Sequence, residues 1–346
     1  MDAQPAVFEH PEFDHHAEVI FLCDPASGLR AVLAIHRTTR FAGGSGGCRM
    51  QPYPSSGAAL TDALRLSRGM SYKLAMAGVP IGGAKMVVIG DPAKDKTEAL
   101  LRAIGRAVER VNGRYVTGGD VGVGGPDLDI IADETHYLVR PADGGDASEA
   151  TALGVLRAIE RSVSRHLDGA ALDGLTVGVQ GLGHVGRRLC DLLAERGARL
   201  VVADPRADLT DAVAEAHGAE VVDPDALLSS DLDVLAPCAL GAVLNDATVP
   251  ELRCRIIAGA ANNQLATPAA ADALAERGIV YAPDFVVNAG GALTSSQRAR
   301  GEAVDVESLE AIAKNLDAVY DLAEAEAIST HEAAERVARE RAPHLA

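Results

Sequence analysis

Two β-rich apolar runs lie near the start of the chain. AEVIFLCD and LRAVLAIH, within 17–37, are joined by Pro25-Ala-Ser-Gly28, which predicts a β-hairpin. Over 56–70 the apolar positions change to helical spacing, with Leu60, Ala63, Leu64 and Met70 among them. The stretch from Ser71 to Pro92 reads as loop and strand, with Met86–Ile89 a short buried strand. Asp95 reads as an N-cap, and Glu98 three residues later completes a capping-box pattern. The helix so opened runs to about Asn112, with Gly113 as its C′ residue.

The second half alternates strand and helix. Leu175–Gln180 reads as a strand, Gly181–Gly186 as a turn into a helix that reaches about Arg196, and Ala198–Ala203 as the next strand. Further apolar runs lie at Val234–Pro237, Ile256–Ala261 and Ile279–Ala282. Such alternation predicts a parallel, doubly wound sheet. Residues 302–346, rich in Ala and Glu, read as one or two helices, and Pro141–Asp146 as a hinge. The fold class is therefore α/β, with a Rossmann-type unit following a different first domain.

Composition narrows the function. A formal charge of −17, from 32 basic and 49 acidic residues, argues against nucleic acid or an anionic membrane as partner. The five cysteines are odd in number, widely spaced and without a CxxC, so reduced thiols in a cytoplasmic protein are expected, with no metal site. MDAQPAVFEHPEFDHH lacks the basic and apolar regions of a signal peptide, and no apolar run is long enough to span a membrane. Asp14-His15-His16 reads as a solvated segment rather than a metal site. The 35 glycines exceed the usual share and mark places where backbone turns sharply or is closely approached.

The strongest motif is Gly181-Leu-Gly183-His184-Val185-Gly186, between a strand and a helix. Gly181 permits the tight turn, Gly183 admits a pyrophosphate, and Gly186 allows close helix–strand packing. The helix N-terminus offers N–H groups and positive dipole to the phosphates. Asp204, 23 residues after Gly181 at the end of the next strand, can accept from ribose hydroxyls and would repel a 2′-phosphate. NAD is favoured over NADP, although Arg206 stands nearby.

Two lysines lie in glycine-rich apolar surroundings. Lys73 ends Gly69-Met-Ser-Tyr-Lys73, and Lys85 sits between Gly82-Gly-Ala and Met-Val-Val. Burial disfavours the charged form of a lysine, which suits a general base, although snorkelling surface lysines would also fit. Asp120, in Thr117-Gly-Gly-Asp120-Val-Gly, is either a third polar group of the same site or an ordinary turn aspartate.

Together these segments carry a resemblance. GGCRM at 46–50, GMSYKLAMAG at 69–78, GGAKMVVIGDP at 82–92, GRYVTGGDVG at 113–122, PCALG at 237–241, GAANNQL at 259–265 and YAPDFVVNAGG at 281–291 stand in one order. The chain resembles the glutamate/leucine/phenylalanine/valine dehydrogenase family from about residue 17 to 320, most closely its leucine, valine and phenylalanine branch. The resemblance implies NAD-dependent, reversible oxidative deamination of an L-amino acid to a 2-oxo acid and ammonia. It implies a substrate-binding and oligomerisation domain at 1–143, an NAD domain at 144–320, and a C-terminal helix at 321–346 packed back on the first. A deep cleft between domains and a homo-oligomer are implied as well.

Residue by residue, the resemblance gives Lys73 the substrate carboxylate, Lys85 the catalytic lysine and Asp120 the acid that exchanges protons with the amine. Gly46 and Gly47 border the substrate. Asn262 and Asn288 line the nicotinamide and substrate region, Thr151 the nicotinamide amide, and Cys238 and Ala239 the cofactor. Ser45, Gly118, Ala150 and Ala292 match side-chain pocket positions, and all are small. No extra lysine stands in the pocket motifs to meet a distal carboxylate, so an apolar side chain is expected. Small walls lean toward phenylalanine or another large side chain over leucine, valine or isoleucine, by no more than the ~1–3 kcal/mol that a methylene or two supplies. Glu149 departs from the family pattern and points either to solvent or to a substrate bearing an amino group; residues after Gly291 depart as well. Two other readings stand beside this one. The first is a catalytically silent NAD-binding sensor. The second is a hydroxy-acid dehydrogenase, which wants a histidine base where only His184 offers itself.

Overall fold

The computed structural model describes residues 7–39, 43–139, 147–239, 241–299 and 305–342, so the expected hinge at 141–146 lies outside the described residues. The chain divides into two compact units, 1–144 with 339–346, and 145–338.

The first unit opens with the antiparallel pair β1 (Glu18–Asp24) and β2 (Leu29–Ile35), the expected hairpin. Then come β3 (Gly44–Ser45), β4 (Cys48–Gln51), α1 (Ser56–Met76), β5 (Gly82–Ile89), α2 (Glu98–Arg110), β6 (Tyr115–Val116) and α3 (Pro126–Ala132). Strand β5 is central: β2 pairs antiparallel on one side, and β3 and β4 pair parallel on the other. With neighbours on both sides and helices on both faces, GGAKMVVI is almost wholly buried. Helix α1 covers one face, packing Ala59, Leu60, Ala63 and Leu64 on Val32, Ala34 and Val87. Helices α2 and α3 cover the other, with Leu100, Ile104, Val108 and Ile131 on Leu33, Met86 and Val88. Side chains alternate along a strand, so Lys85 shares the α1 face with Val87.

Three expectations are corrected here. Helix α1 does not stop near Met70 but continues to Met76, because Tyr72, Leu74, Ala75 and Met76 bury against the unit; Lys73 is therefore helical. The cap of α2 is Thr97, which accepts from the N–H of Leu100, while Asp95 is spent on the N–H of Asp91. The Asp14–His16 segment is not solvated throughout. His16 is buried and bonds Ser67 Oγ and the Leu64 carbonyl, while Asp14 bonds the fully buried His36, which in turn bonds Ser71.

The second unit begins with α4 (Ala147–His166) and a βαβ series: β7 (Thr176–Gln180), α5 (His184–Ala194), β8 (Arg199–Ala203), α6 (Ala207–His217), β9 (Glu220–Val221), α7 (Pro224–Leu228) and β10 (Leu232–Pro237). β11 (Cys254–Ile257), α8 (Ala269–Glu276), β12 (Val280–Tyr281), α9 (Asp284–Val287) and α10 (Gly290–Ala299) follow, then α11 (Glu310–Glu326) and α12 (Thr330–Arg341). The sheet runs β12-β11-β10-β7-β8-β9, all parallel. Its order reverses between β7 and β10, the switch point at which such sheets take ligands. Residues 321–338 group with this unit and not the first. The reason is local: α11 is tied to α4 by Arg161–Asp317, Arg165–Asp321 and a buried Ser162–Tyr320 hydrogen bond. Only the end of the chain, from Arg339, groups with the first unit, where Arg339 donates to the Tyr72 hydroxyl at 2.6 Å. Among the described residues no helix is long and apolar enough to cross a membrane.

Candidate active site

The lysine expected to do chemistry lies in the middle of β5, opposite Ala34 of β2, and is 4% exposed. Its Nζ is 2.6 Å from Asp120 Oδ2. Asp120 stands in a turn closed by two 2.9 Å backbone bonds with Val123. Between the two runs the Gly44–Cys48 segment. The N–H groups of Gly44, Gly46 and Cys48 donate to the carbonyls of Arg114, Val116 and Gly118. A Cβ at Gly47 would lie 2.9 Å from Asp120 Cβ and 2.6 Å from the Gly119 carbonyl oxygen. Only glycine lets this segment pass so close to the aspartate. Ser45 and Gly118 flank the same region, and a Cβ at Gly118 would meet nothing nearer than the Val139 carbonyl at 3.7 Å. Lys73 is half-buried on α1.

Arg49 of β4 completes the site, and the sequence reading passed over it. Its Nε donates to the same Asp120 Oδ2 at 2.9 Å, and its Nη1 to Asp62 Oδ2 at 3.3 Å. Tyr53 Oη donates to Asp62 Oδ2 at 2.5 Å. The signal was present in GGCRM, a charged residue just after a glycine pair, between the buried Cys48 and Met50. Burial works to raise the Asp120 carboxyl, but Lys85 and then Arg49 outweigh it and hold the group well below the usual carboxylate range. Burial likewise opposes the Arg49 charge, and Asp120 and Asp62 more than restore it. Burial and Asp62 push the Tyr53 phenol far up, so it keeps its proton. The expectation of apolar surroundings for Lys85 is thus corrected at the ammonium itself, which meets a carboxylate.

In the second unit the glycine turn follows β7 at the switch point. Gly181 has φ +93°, and a Cβ there would strike Ala239, the segment after β10. A Cβ at Gly186 would lie 1.9 Å from the Gly181 carbonyl oxygen and 3.4 Å from Cys238 Cβ. At Gly183 a Cβ would point into open space, and this N-cap of α5 has no side-chain cap bond. His184 and Val185 form the first turn of α5, with His184 exposed. Asp204 Oδ2 accepts from the Leu182 N–H at 2.8 Å, and Oδ1 from the Arg206 N–H at 3.0 Å. Burial would raise this carboxyl, but those bonds bring it below its ordinary value. The turn, Asp204, Cys238 and Ala239 therefore converge.

A second group in this unit gathers Asn262, Asn288, Ala150, Thr151 and Ala292. Asn288 Nδ2 donates to Asn262 Oδ1 at 2.9 Å and to the Ala260 carbonyl at 3.0 Å, while its own Oδ1 is buried without a partner among the described residues. A Cβ at Gly290 would lie 2.1 Å from the Ala150 carbonyl oxygen and 3.3 Å from Thr151 Cα, so the start of α10, with Ala292, abuts the start of α4. Glu149 is matched by Arg188, which donates to both of its oxygens at 2.6 and 2.9 Å. Its carboxylate is thus answered within the unit, by the neighbouring helix.

Open space over the Gly183 turn, N–H groups at a helix start and an orphaned amide oxygen fit a bound dinucleotide. By class the chain is a nicotinamide-dependent oxidoreductase. Residues 16–137 match the family described as Glu/Leu/Phe/Val dehydrogenase, dimerisation domain, and 202–344 that described as Glutamate/Leucine/Phenylalanine/Valine dehydrogenase. Residues 154–240 also match the NAD binding domain of D-isomer specific 2-hydroxyacid dehydrogenases, an overlap confined to the nucleotide-binding stretch. A leucine dehydrogenase of Geobacillus stearothermophilus is 43% identical over 341 residues, 97% of this chain and 93% of that enzyme. A valine dehydrogenase of Streptomyces coelicolor is 43% identical over 96% of this chain and 93% of its own. The crystal structure of L-tryptophan dehydrogenase from Nostoc punctiforme superposes with TM-score 0.77 at 40% identity, covering 95% of this chain and 96% of that one. The chain belongs to the glutamate/leucine/phenylalanine/valine dehydrogenase family and is an amino-acid dehydrogenase.

Proposed function

We propose that the chain catalyses reversible NAD-dependent oxidative deamination of an apolar L-amino acid to its 2-oxo acid and ammonia. The observation that carries this reading is the buried Lys85–Asp120 pair at 2.6 Å. Gly181, Gly183, His184, Val185, Gly186, Asp204, Cys238 and Ala239 would hold the dinucleotide, with Thr151 and Asn262 toward the nicotinamide. When bound, the nicotinamide accepts the hydride that leaves the substrate α-carbon.

The chain's own groups do the rest. The Lys73 ammonium grips the substrate carboxylate beside Gly46 and Gly47. Loss of hydride leaves an iminium, which water must attack. Lys85 takes a proton from that water, and Asp120 exchanges protons with the nitrogen until the C–N bond breaks and ammonia departs. Lys85 lies 2.6 Å from Asp120, and an amine accepts a proton only in its neutral form, so deamination is favoured at alkaline pH. Asn288 Oδ1 has no partner among the described residues and is available to accept from the substrate or cofactor.

The small residues Ser45, Gly118, Ala150 and Ala292, which match side-chain pocket positions of the family, support a large apolar side chain. Asp204 supports NAD over NADP, because a carboxylate repels a 2′-phosphate. Homo-oligomerisation through the first unit belongs to the reading: β1 is an edge strand with Phe21 59% exposed, and the matching family is described as a dimerisation domain. Nothing in the comparisons favours a silent sensor. The test is a panel of L-phenylalanine, L-leucine, L-valine, L-tryptophan and L-glutamate with NAD or NADP, scored by reduced cofactor. NADH from at least one apolar amino acid and little from glutamate is expected. Failure of every apolar substrate overturns the reading.

A further inference from the structure

Tyr53, Asp62, Arg49, Asp120 and Lys85 form one continuous chain of hydrogen-bonded or paired groups between the sheet and α1. Arg49 is its middle member, and its side chain is 11% exposed. Two cations, Arg49 and Lys85, converge on a single oxygen of Asp120. A guanidinium does not lose its proton in a protein, so the Arg49 charge is fixed whereas that of Lys85 is not. If Lys85 alone faced Asp120, releasing its proton would leave a buried, unpaired carboxylate, which is costly. With Arg49 2.9 Å away, Asp120 keeps a cation at every stage. Asp62 draws on the same guanidinium from the other side, and Tyr53 donates to Asp62.

We propose that Arg49, clamped between Asp62 and Asp120, is a positioning residue that sets how tightly the Lys85–Asp120 pair holds its proton. The proposal rests on the reading of Lys85 as the base. Among the described residues, the other titratable groups near Asp120 include Cys48 on β4 and Tyr115 on β6, and the Lys96–Asp127 ion pair, whose Lys96 donates to the Gly122 carbonyl of the same turn. Burial pushes the thiol to about 12 and the phenol well above its ordinary value, so both are neutral in the working range. The charges bonded to the pair are Arg49, directly, and Asp62 through it, while those of Lys73, Lys96 and Asp127 are the same in every variant compared.

The signs follow. Removing a cation makes the pair bind its proton more tightly, and removing the competing anion makes it bind less tightly. The experiment is the pH dependence of kcat/KM for deamination at saturating NAD, in the whole enzyme. Arg49→Gln is expected to move the acidic limb to higher pH by about one unit or more, the scale of a neighbouring charge. Asp62→Asn is expected to move it to lower pH. Arg49→Lys keeps the charge but cannot span two carboxylates, so kcat falls while the limb stays within about half a unit of the parent. A limb unmoved in folded Arg49→Gln, or shifts of the same sign in Arg49→Gln and Asp62→Asn, overturns the proposal. If Arg49→Gln does not fold, the Asp62→Asn shift decides alone: a limb moved to lower pH supports the proposal, and any other result overturns it. Lys85→Met separates the two levels. Normal turnover in that variant sinks the parent reading, whereas a dead Lys85→Met with an unmoved Arg49→Gln limb sinks only the role of Arg49.

Discussion

Breaking the Lys85–Asp120 pair from each side tests the geometry of the site independently of turnover. Asp120→Asn leaves the Lys85 ammonium, with a side chain only 5% exposed, facing a neutral amide 2.6 Å away. It also strips Arg49 of one of its two carboxylates. Removing one partner of a buried pair costs about 3–5 kcal/mol, because the other charge cannot recover its hydration. Lys85→Met leaves Asp120 still bonded to Arg49 at 2.9 Å, so the loss is smaller, about 1–3 kcal/mol. The double variant removes both charges and replaces the ammonium with an apolar chain of similar length. Its loss is expected to fall short of the sum of the singles by about 1–3 kcal/mol. Urea unfolding followed by circular dichroism, at one protein concentration, supplies the four stabilities. Additivity within about 0.5 kcal/mol would refute the pair as a coupled, buried unit.

Three further outcomes are expected. The fully buried His36 has its imidazole pushed down to about 4 by burial, from an ordinary 6.5. In that window the unfolded chain binds the proton and the folded one does not, so stability falls as pH drops from 6.5 toward 4, by roughly 3 kcal/mol from this residue. Unfolding midpoints across that range check it, and His36→Gln makes the fall shallower without abolishing it, because burial also pushes the neighbouring His16 down, to about 3. Gly186→Ala puts a Cβ 1.9 Å from the Gly181 carbonyl oxygen, so NAD affinity measured by calorimetry falls at least tenfold, about 1.4 kcal/mol or more; unchanged affinity contradicts the role of the turn. Lys73→Ala raises KM for the amino acid far more than KM for NAD, and equal changes in the two would count against a carboxylate-binding lysine.

Local patterns reported local structure. The Gly181–Gly186 turn was legible because strand, glycines and helix follow one another within a dozen residues, and a nucleotide turn needs little else. The hairpin of β1 and β2 was legible for the same reason. What the pattern missed depends on partners far along the chain. His16 sits in a polar tripeptide that reads as solvated, yet its bonds go to Leu64 and Ser67, 48 and 51 residues away. Helix α1 runs on through Gly69 because the side chains beyond it bury against the sheet, a tertiary gain that outweighs the weak helix propensity of glycine. Arg49 escaped notice because its meaning lies in Asp120, 71 residues later, and in Asp62. The apolar neighbours of Lys85 correctly announced burial, but the carboxylate that meets its ammonium comes from another segment.

If this chain removes an amino group by hydride transfer with Lys85 as base, the ratio of NADH to ammonia formed from an apolar L-amino acid and NAD, in the parent and in Lys85→Met, decides it. One NADH per ammonia in the parent, and neither product above background in the variant, is the predicted result. NADH without ammonia, or equal turnover by Lys85→Met, would contradict it.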